Sequence, residues 1–321
     1  MRSAIVLVTD SKGLNLAEHA AAVAMLTQQT ASYVIFCVGF EPPSINALTR
    51  GADALGKTVQ YRNLSPVAEL SAPYQSKGAH SHVSSAALFK MEALWSIQDE
   101  FDRALYIDSD VLLMKDFMLD CLDFEGMPIA GVYDIAKVGE IGSDRDFHTR
   151  CLTSNCSPHY FNSGVIAANY ERFSSKHVQS YRDALVRHYS ICVYHEDCSC
   201  DDQCAWNIAF QEDWKRLPLS HNFQACALFN DGWSDATARH YVGPAKFLPV
   251  RPWRNDSRDT RLIAQARAIL GLPTHGKRSL NIARRMNIIR NASLRRRAQR
   301  GLETVERMFK QQISDRQTPM R

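Results

Sequence analysis

Along the first third of the chain, short apolar runs rich in β-branched residues alternate with segments of helical period. No other feature of the sequence limits the fold as much. Ser3 to Thr9 reads as a buried strand, Asp10-Ser11-Lys12-Gly13 as a turn, and the Ala-rich stretch Asn15 to Gln28 as a helix. Tyr33 to Val38 is a second strand. Pro43 to Leu55 is a second helix, with Pro near its first turn and Gly56 behind it, and Thr58 to Tyr61 is a third strand. This alternation predicts a layered α/β domain with a largely parallel sheet. Ligands of such sheets bind beyond the carboxyl ends of the strands.

Further along, Ser84 to Gln98 reads as a helix with Leu88, Met91, Leu94 and Trp95 on one face, and Ala104 to Ile107 as a strand. Pro128 to Tyr133 is a strand, Lys137 to Pro158 a long loop, Gly164 to Asn169 a strand and Glu171 to Tyr189 a helix. Asp201 to Phe210 is a short helix, and Leu217 to Arg239 is irregular and rich in aromatic residues. With 321 residues, 45% hydrophobic and 22% charged, the chain can bury a sizeable core, which excludes disorder throughout, collagen and coiled coil. No run of about 18 apolar residues predicts a membrane-spanning helix.

Charge is unevenly spread. Residues 276–321 carry 13 Lys+Arg against 3 Asp+Glu, or +10, which leaves −6 for the rest of a chain of net charge +4. Ile282, Met286, Ile289 and then Ala298, Leu302, Val305 and Phe309 recur at spacings of three or four among arginines. The tail therefore reads as a basic amphipathic helix, packed on the body or lying on an anionic membrane surface. Aromatic residues that stack nucleic-acid bases are nearly absent from it, so nucleic acid is not expected as a partner. The nine cysteines are an odd number. Four of them, Cys192, Cys198, Cys200 and Cys204, cluster in a segment that reads as an inert loop, a disulfide staple or a zinc site.

Four short motifs carry chemistry. Asp108-Ser109-Asp110 ends a buried strand, where residues i and i+2 point the same way and two carboxylates can share one hard cation. In Phe161-Asn162-Ser163-Gly164-Val165, an amide that both donates and accepts stands beside a glycine that permits close approach. Asp202-Gln203, followed by Asn207, offers a carboxylate and a carbonyl oxygen at the start of a helix. His240-Tyr241-Val242-Gly243-Pro244-Ala245-Lys246 places an imidazole for a metal beside a backbone amide and an ammonium for phosphate.

In this order, from about Ser3 to Trp253, the four motifs resemble glycosyltransferase family 8, and Lys90 with Leu105-Tyr106-Ile107-Asp108-Ser109-Asp110-Val111 resembles its glycogenin branch. The resemblance implies a GT-A fold: a single Rossmann-like, nucleotide-sugar-binding domain around a mixed central sheet. It implies retaining transfer of a hexose, glucose or galactose, from a UDP-sugar to a hydroxyl on a glycan, glycolipid or protein. Asp108, Asp110 and His240 match the metal ligands, a set that suits Mn²⁺ better than Mg²⁺. Lys246 and Gly243 match diphosphate contacts, Lys90 a donor-binding lysine, and Ser109 the ribose contact. Asp134, Asn162, Asp202 and Gln203 match residues around the donor sugar. Gly13 stands where many members carry an aromatic residue, which leaves Thr9 and Asp10 as base contacts. Self-glucosylation would need an exposed tyrosine, for which Tyr189 and Tyr194 are candidates.

The domain expectation is a catalytic unit at 1–255 and a basic helical extension at 256–321. Peripheral membrane contact would run through 276–310. Without a signal peptide the expected location is the cytoplasm or the cytoplasmic face of a membrane. Sequons at Asn63, Asn155, Asn255 and Asn291 keep a lumen open if an N-terminal anchor is missing. Competing readings are a nucleotidyltransferase, whose Gly-rich basic loop is missing here, and a non-catalytic nucleotide-sugar-binding protein.

Overall fold

The computed structural model describes residues 1–44, 46–71, 84–135, 160–191, 201–211, 213–243, 246–250, 255–273, 296 and 298–307. The first half of the fold runs β1 (Ser3–Thr9), α1 (Leu14–Thr27), β2 (Ser32–Val38), α2 (Ala47–Ala54), β3 (Thr58–Leu64), the single turn α3 (Ala68–Ser71), α4 (Lys90–Ser96), β4 (Arg103–Ile107), β5 (Val111–Leu113) and β6 (Ile129–Tyr133). The second half runs β7 (Phe161–Asn169), α5 (Ser175–Ile191), α6 (Asp201–Phe210), β8 (Trp214–Arg216), β9 (Phe223–Gln224), α7 (Gly232–Asp235), β10 (Ala238–His240) and α8 (Ser257–Ile269).

Seven strands form the main sheet in the order β3-β2-β1-β4-β7-β6-β8. The first four are parallel, β7 runs antiparallel to both β4 and β6, and β8 is parallel to β6. The fold is thus mixed α/β with a parallel, Rossmann-like half. A small sheet of order β5-β10-β9 stands beside it. The strand order reverses between β1 and β4. Thr9 and Asp108 therefore leave the carboxyl ends of adjacent parallel strands at the switch point where open sheets bind ligands.

Helix α1 lies close to the sheet because its inner positions are small: Ala17, Ala20, Ala21 and Ala24 are fully buried. Helix α8 packs on α1 and α2. Leu262, Ile263 and Ala266 of α8, and Ala298 and Leu302 of a helical segment at 298–307, join the same core. Burying each of the larger of these side chains stabilises by about 1.5–3 kcal/mol. Among the described residues no helix is long and apolar enough to cross a membrane.

Several boundaries differ from the sequence expectation, each for a local reason. Helix α2 starts at Ala47 rather than Pro43. Asn46 accepts from the Thr49 amide while the Thr49 hydroxyl closes back on Asn46, and this reciprocal cap sets the start. The expected helix at 84–98 is a 3₁₀ turn (Ser85–Phe89) followed by α4. Ser84 caps the turn by accepting from the Ala86 amide. Strand β7 begins at Phe161 and not at Gly164, because Phe161 and Asn162 pair with Tyr133 and Val132 of β6. The stretch 217–239, read as irregular, holds β9, α7 and the start of β10. Strands of two or three residues are too short to show a period. The loop 137–158, Cys192, Cys198, Cys200, Tyr194 and the side chain of Tyr189 lie outside the described residues, as does most of the basic segment 276–297. Cys204 is buried, its Sγ 3.1 Å from the Tyr160 hydroxyl.

Candidate active site

Asp108 follows directly from β4. Its backbone amide donates to the Gly164 carbonyl at 2.8 Å, which fixes the end of β4 against β7. The chain then turns through half-buried Ser109 to Asp110, whose carbonyl accepts from the Tyr241 amide at 3.0 Å. Strand β10 pairs with β5 so that His240 faces Val111. Ligand atoms of Asp108, Asp110 and His240 consequently lie within 4.8 Å of one another. His240 Nε2 is 3.3 Å from Asp110 Oδ1 and 3.8 Å from Asp108 Oδ2.

The other imidazole nitrogen has a fixed partner. Asn222 is fully buried; its Nδ2 donates to Asn162 Oδ1 at 2.9 Å, so its Oδ1 is free to accept from His240 Nδ1–H at 3.1 Å. Nε2 is then the ring nitrogen turned toward the two carboxylates. Two acidic oxygens and one imidazole nitrogen around a shared point fit a divalent transition metal. Asn222→Ala is expected to weaken Mn²⁺ binding by about 10–100-fold. Titration calorimetry checks this, and unchanged affinity would remove Asn222 from the metal's support.

Gly164 makes room for the imidazole. A Cβ there would lie 2.1 Å from His240 Cε1. The Gly164 amide donates to Asn162 Oδ1 at 3.0 Å, so the Asn162 side chain tightens its own turn of β7 and receives Asn222 as well.

Next to the cluster of Asp108, Asp110 and His240 sit two lysines. Lys246 Nζ is 2.5 Å from Asp110 Oδ2. Lys90, the first residue of α4 and almost wholly buried, lies 2.9 Å from Asp108 Oδ1 and 2.8 Å from Asp202 Oδ2. Burial opposes the charge of Lys90, but Asp108 and Asp202 more than reverse that and raise its pKa. Burial likewise pushes the Asp110 carboxyl up, yet His240 and Lys246 hold it well below the usual carboxylate range. Burial, and then the charge of Asp108, raise the Tyr106 phenol well above its ordinary value. Tyr106 therefore stays protonated and donates to Asp108 Oδ1 at 2.5 Å.

Asp202 and Gln203 open helix α6 and reach back to β7. The Ser163 hydroxyl donates to Asp202 Oδ2 at 3.0 Å and the Ser163 amide to Gln203 Oε1 at 3.1 Å. Gln203 Nε2 and Asn162 Nδ2 both donate to Asp134 Oδ2, each at 3.0 Å. Asn207, one helical turn on, ties α6 to β7 by accepting from the Phe161 amide and donating to its carbonyl. A closed circuit results: Asp108, Lys90, Asp202, Ser163, Gln203, Asp134, Asn162, Asn222 and His240.

Two expected contacts stand apart from this circuit. Thr9 is buried, and its hydroxyl donates to the Asp10 carbonyl at 3.0 Å. The Asp10 carboxylate accepts from the Gly13 amide at 2.7 Å and the Ser84 hydroxyl at 2.6 Å, which orders the turn after β1. Gly13 itself has no room for a side chain, since a Cβ would lie 2.6 Å from Thr9 Oγ1. Gly243 takes a left-handed backbone (φ 80°) between His240 and Lys246. Sequence reasoning missed Asn222 and Gln224. The Gln224 amide brackets Asp134, its Oε1 accepting from the Ile135 amide and its Nε2 donating to the Tyr133 carbonyl, both at 2.9 Å. The available signal was Asn222-Phe223-Gln224, two amides two residues apart about an apolar residue.

Among solved structures, the galactosyltransferase LgtC, in complex with donor and acceptor sugar analogues, shares the fold with a TM-score of 0.62 and 16% identity, over 84% of this chain and 97% of that one. The apo form of the glycosyltransferase GlyE of Streptococcus pneumoniae TIGR4 gives a TM-score of 0.51 and 16% identity, over 84% of this chain and 62% of that one. No curated protein matches the sequence. Residues 15–256 match Glycosyl transferase family 8. The chain is a glycosyltransferase and belongs to that family.

Proposed function

We propose that the protein transfers a hexosyl group, glucose or galactose, from a UDP-sugar to a hydroxyl of a glycan, glycolipid or protein, with retention and with Mn²⁺ held by Asp108, Asp110 and His240. The observation that carries the reading is the convergence of those three side chains within 4.8 Å, with Lys90 and Lys246 against them. When bound, such an ion acts as a Lewis acid toward the diphosphate leaving group.

The chain's own groups account for the rest. Lys246, with the Gly243 amide, places positive charge where the leaving phosphate oxygen gains electrons as its bond to the sugar breaks. Asp134, Asn162, Asp202 and Gln203 line the donor-sugar side as fixed acceptors and donors, and Thr9, Asp10 and Ser109 take the nucleoside. The Gln203 carbonyl offers partial negative charge to the oxocarbenium-like sugar carbon.

A front-face route is favoured over double displacement by what already holds the two candidate nucleophiles. One Asp202 oxygen is ion-paired to Lys90 and accepts from Ser163, and the Gln203 carbonyl is tethered by the Ser163 amide. In the front-face route the acceptor oxygen bonds to the anomeric carbon while its proton passes to the departing phosphate oxygen. The acceptor class rests on the resemblance. Contact with an anionic membrane surface rests on the charge of 276–297, because the apolar positions of 298–307 turn to the body.

Nucleotide release from a panel of UDP- and GDP-sugars, with Mn²⁺ and with chelator, tests the reading. Metal-dependent release from one UDP-hexose is expected. Release that ignores the chelator, or occurs only with GDP-sugars, would overturn it. Intact mass after incubation with donor alone should be unchanged; a stable gain of one hexosyl residue would reinstate a covalent or self-glycosylating route.

A further inference from the structure

We propose that the helical segment at 298–307 positions Asp134, and that Gly301 is the point through which it does so. The inference rests on the reading that Asp134 lies beside the donor sugar.

Ala298, Leu302 and Val305 are buried at 1%, 3% and 0% exposure, and Gly301 is buried among them. Positions 298, 301, 302 and 305 form one stripe of a helix. Arg296, Arg300, Glu303, Glu306 and Arg307 are exposed. The stripe seats on the segment that leaves β6. A Cβ on Gly301 would lie 2.0 Å from the Ile135 carbonyl oxygen and 3.0 Å from Ile135 Cγ2. The contact is backbone against backbone, and only glycine allows it.

Ile135 is fully buried and follows Asp134 directly. The same three-residue segment is held by Gln224, which bonds the residues on both sides of Asp134. Gln224 in turn lies in register with His240. The Asp134 carboxylate is then aimed by Asn162 and Gln203. Gln224 ties the Asp134 backbone to the strand that holds His240, while Gly301 ties it to a helix more than 160 residues further along the sequence. Gly301 is a positioning residue, and a shift of about 1 Å at such a point can lower turnover about 10²-fold.

The test is Gly301→Ala in the full chain, read as affinity for UDP and for UDP-hexose by calorimetry, together with kcat and KM for nucleotide release. Expected is a loss of at least about tenfold in UDP-hexose binding and in kcat/KM, with UDP affinity within about twofold of wild type. Gly51→Ala is the matched control. Its Cβ would lie 2.4 Å from Ile269 Cγ2, at the contact of α2 with α8, and the ratio of the two affinities should not move. If Gly301→Ala does not fold, Leu302→Ala, which loosens the same helix without adding atoms beside Ile135, should show a smaller shift in the same direction. Equal losses for UDP and UDP-hexose, or the same ratio in the Gly51→Ala control, would overturn the role of Gly301. A wild type that binds UDP but no UDP-hexose would instead overturn the functional reading.

Discussion

Asp110→Asn is expected to lower metal-dependent nucleotide release by about 10³-fold or more. A Lewis acid at the leaving group contributes several kcal/mol to transition-state stabilisation, and each 1.36 kcal/mol is about a tenfold change in rate. The substitution removes one of the two carboxylates proposed to hold the metal and also the anion that faces His240 and Lys246. The fold should survive, because the structural bond at this residue is made by its backbone carbonyl to Tyr241 and not by the side chain. Circular dichroism and a Mn²⁺ titration accompany the rate measurement. A variant that keeps its Mn²⁺ affinity and near-normal release would remove Asp110 from the metal site.

Gly164→Ala should be nearly as severe without touching any ligand. The added methyl would stand 2.1 Å from His240 Cε1 and 2.7 Å from Nδ1. The ring has little freedom to yield, since Nδ1 is tied to Asn222 and Asn222 to Asn162. Mn²⁺ affinity and kcat/KM are each expected to fall about 10²-fold. Gly131→Ala, in the neighbouring strand β6, provides the contrast. Its Cβ would meet Phe161 at 3.5 Å, an ordinary contact, and metal affinity should stay at the wild-type value. Wild-type metal binding by Gly164→Ala would show that the imidazole does not depend on this glycine.

Local signals carried much of the architecture. Helix α1 and strands β1, β2 and β4 were legible because each has a period or an apolar run within its own length. The pair Asp108 and Asp110 was legible because it ends such a run. His240 and Lys246 were brought to it only by resemblance, since nothing nearby in sequence says that β10 pairs with β5. The supports of the site were out of reach for the same reason. Asn222 acts between His240 and Asn162, 60 positions away, and Gln224 on Tyr133 and Ile135, 91 and 89 away. A buried amide and a solvated one look alike in sequence until the partner strand is known. Gly301 stood inside an amphipathic pattern whose apolar stripe fitted either a lipid surface or the protein's own body, and among the described residues the structure turns Ala298, Leu302 and Val305 inward.

The pairing of β5 with β10 also sets a timetable for biosynthesis. Val111–Leu113 leaves the ribosome long before Ala238–His240, its partner across the small sheet. At roughly 5–20 residues per second the interval is about 6–25 s. Throughout that time Val111–Leu113 has no partner strand in the small sheet, and the turn at Asp108–Asp110 that precedes it is not yet closed by His240. The candidate site is therefore assembled late, only once most of the domain has been made.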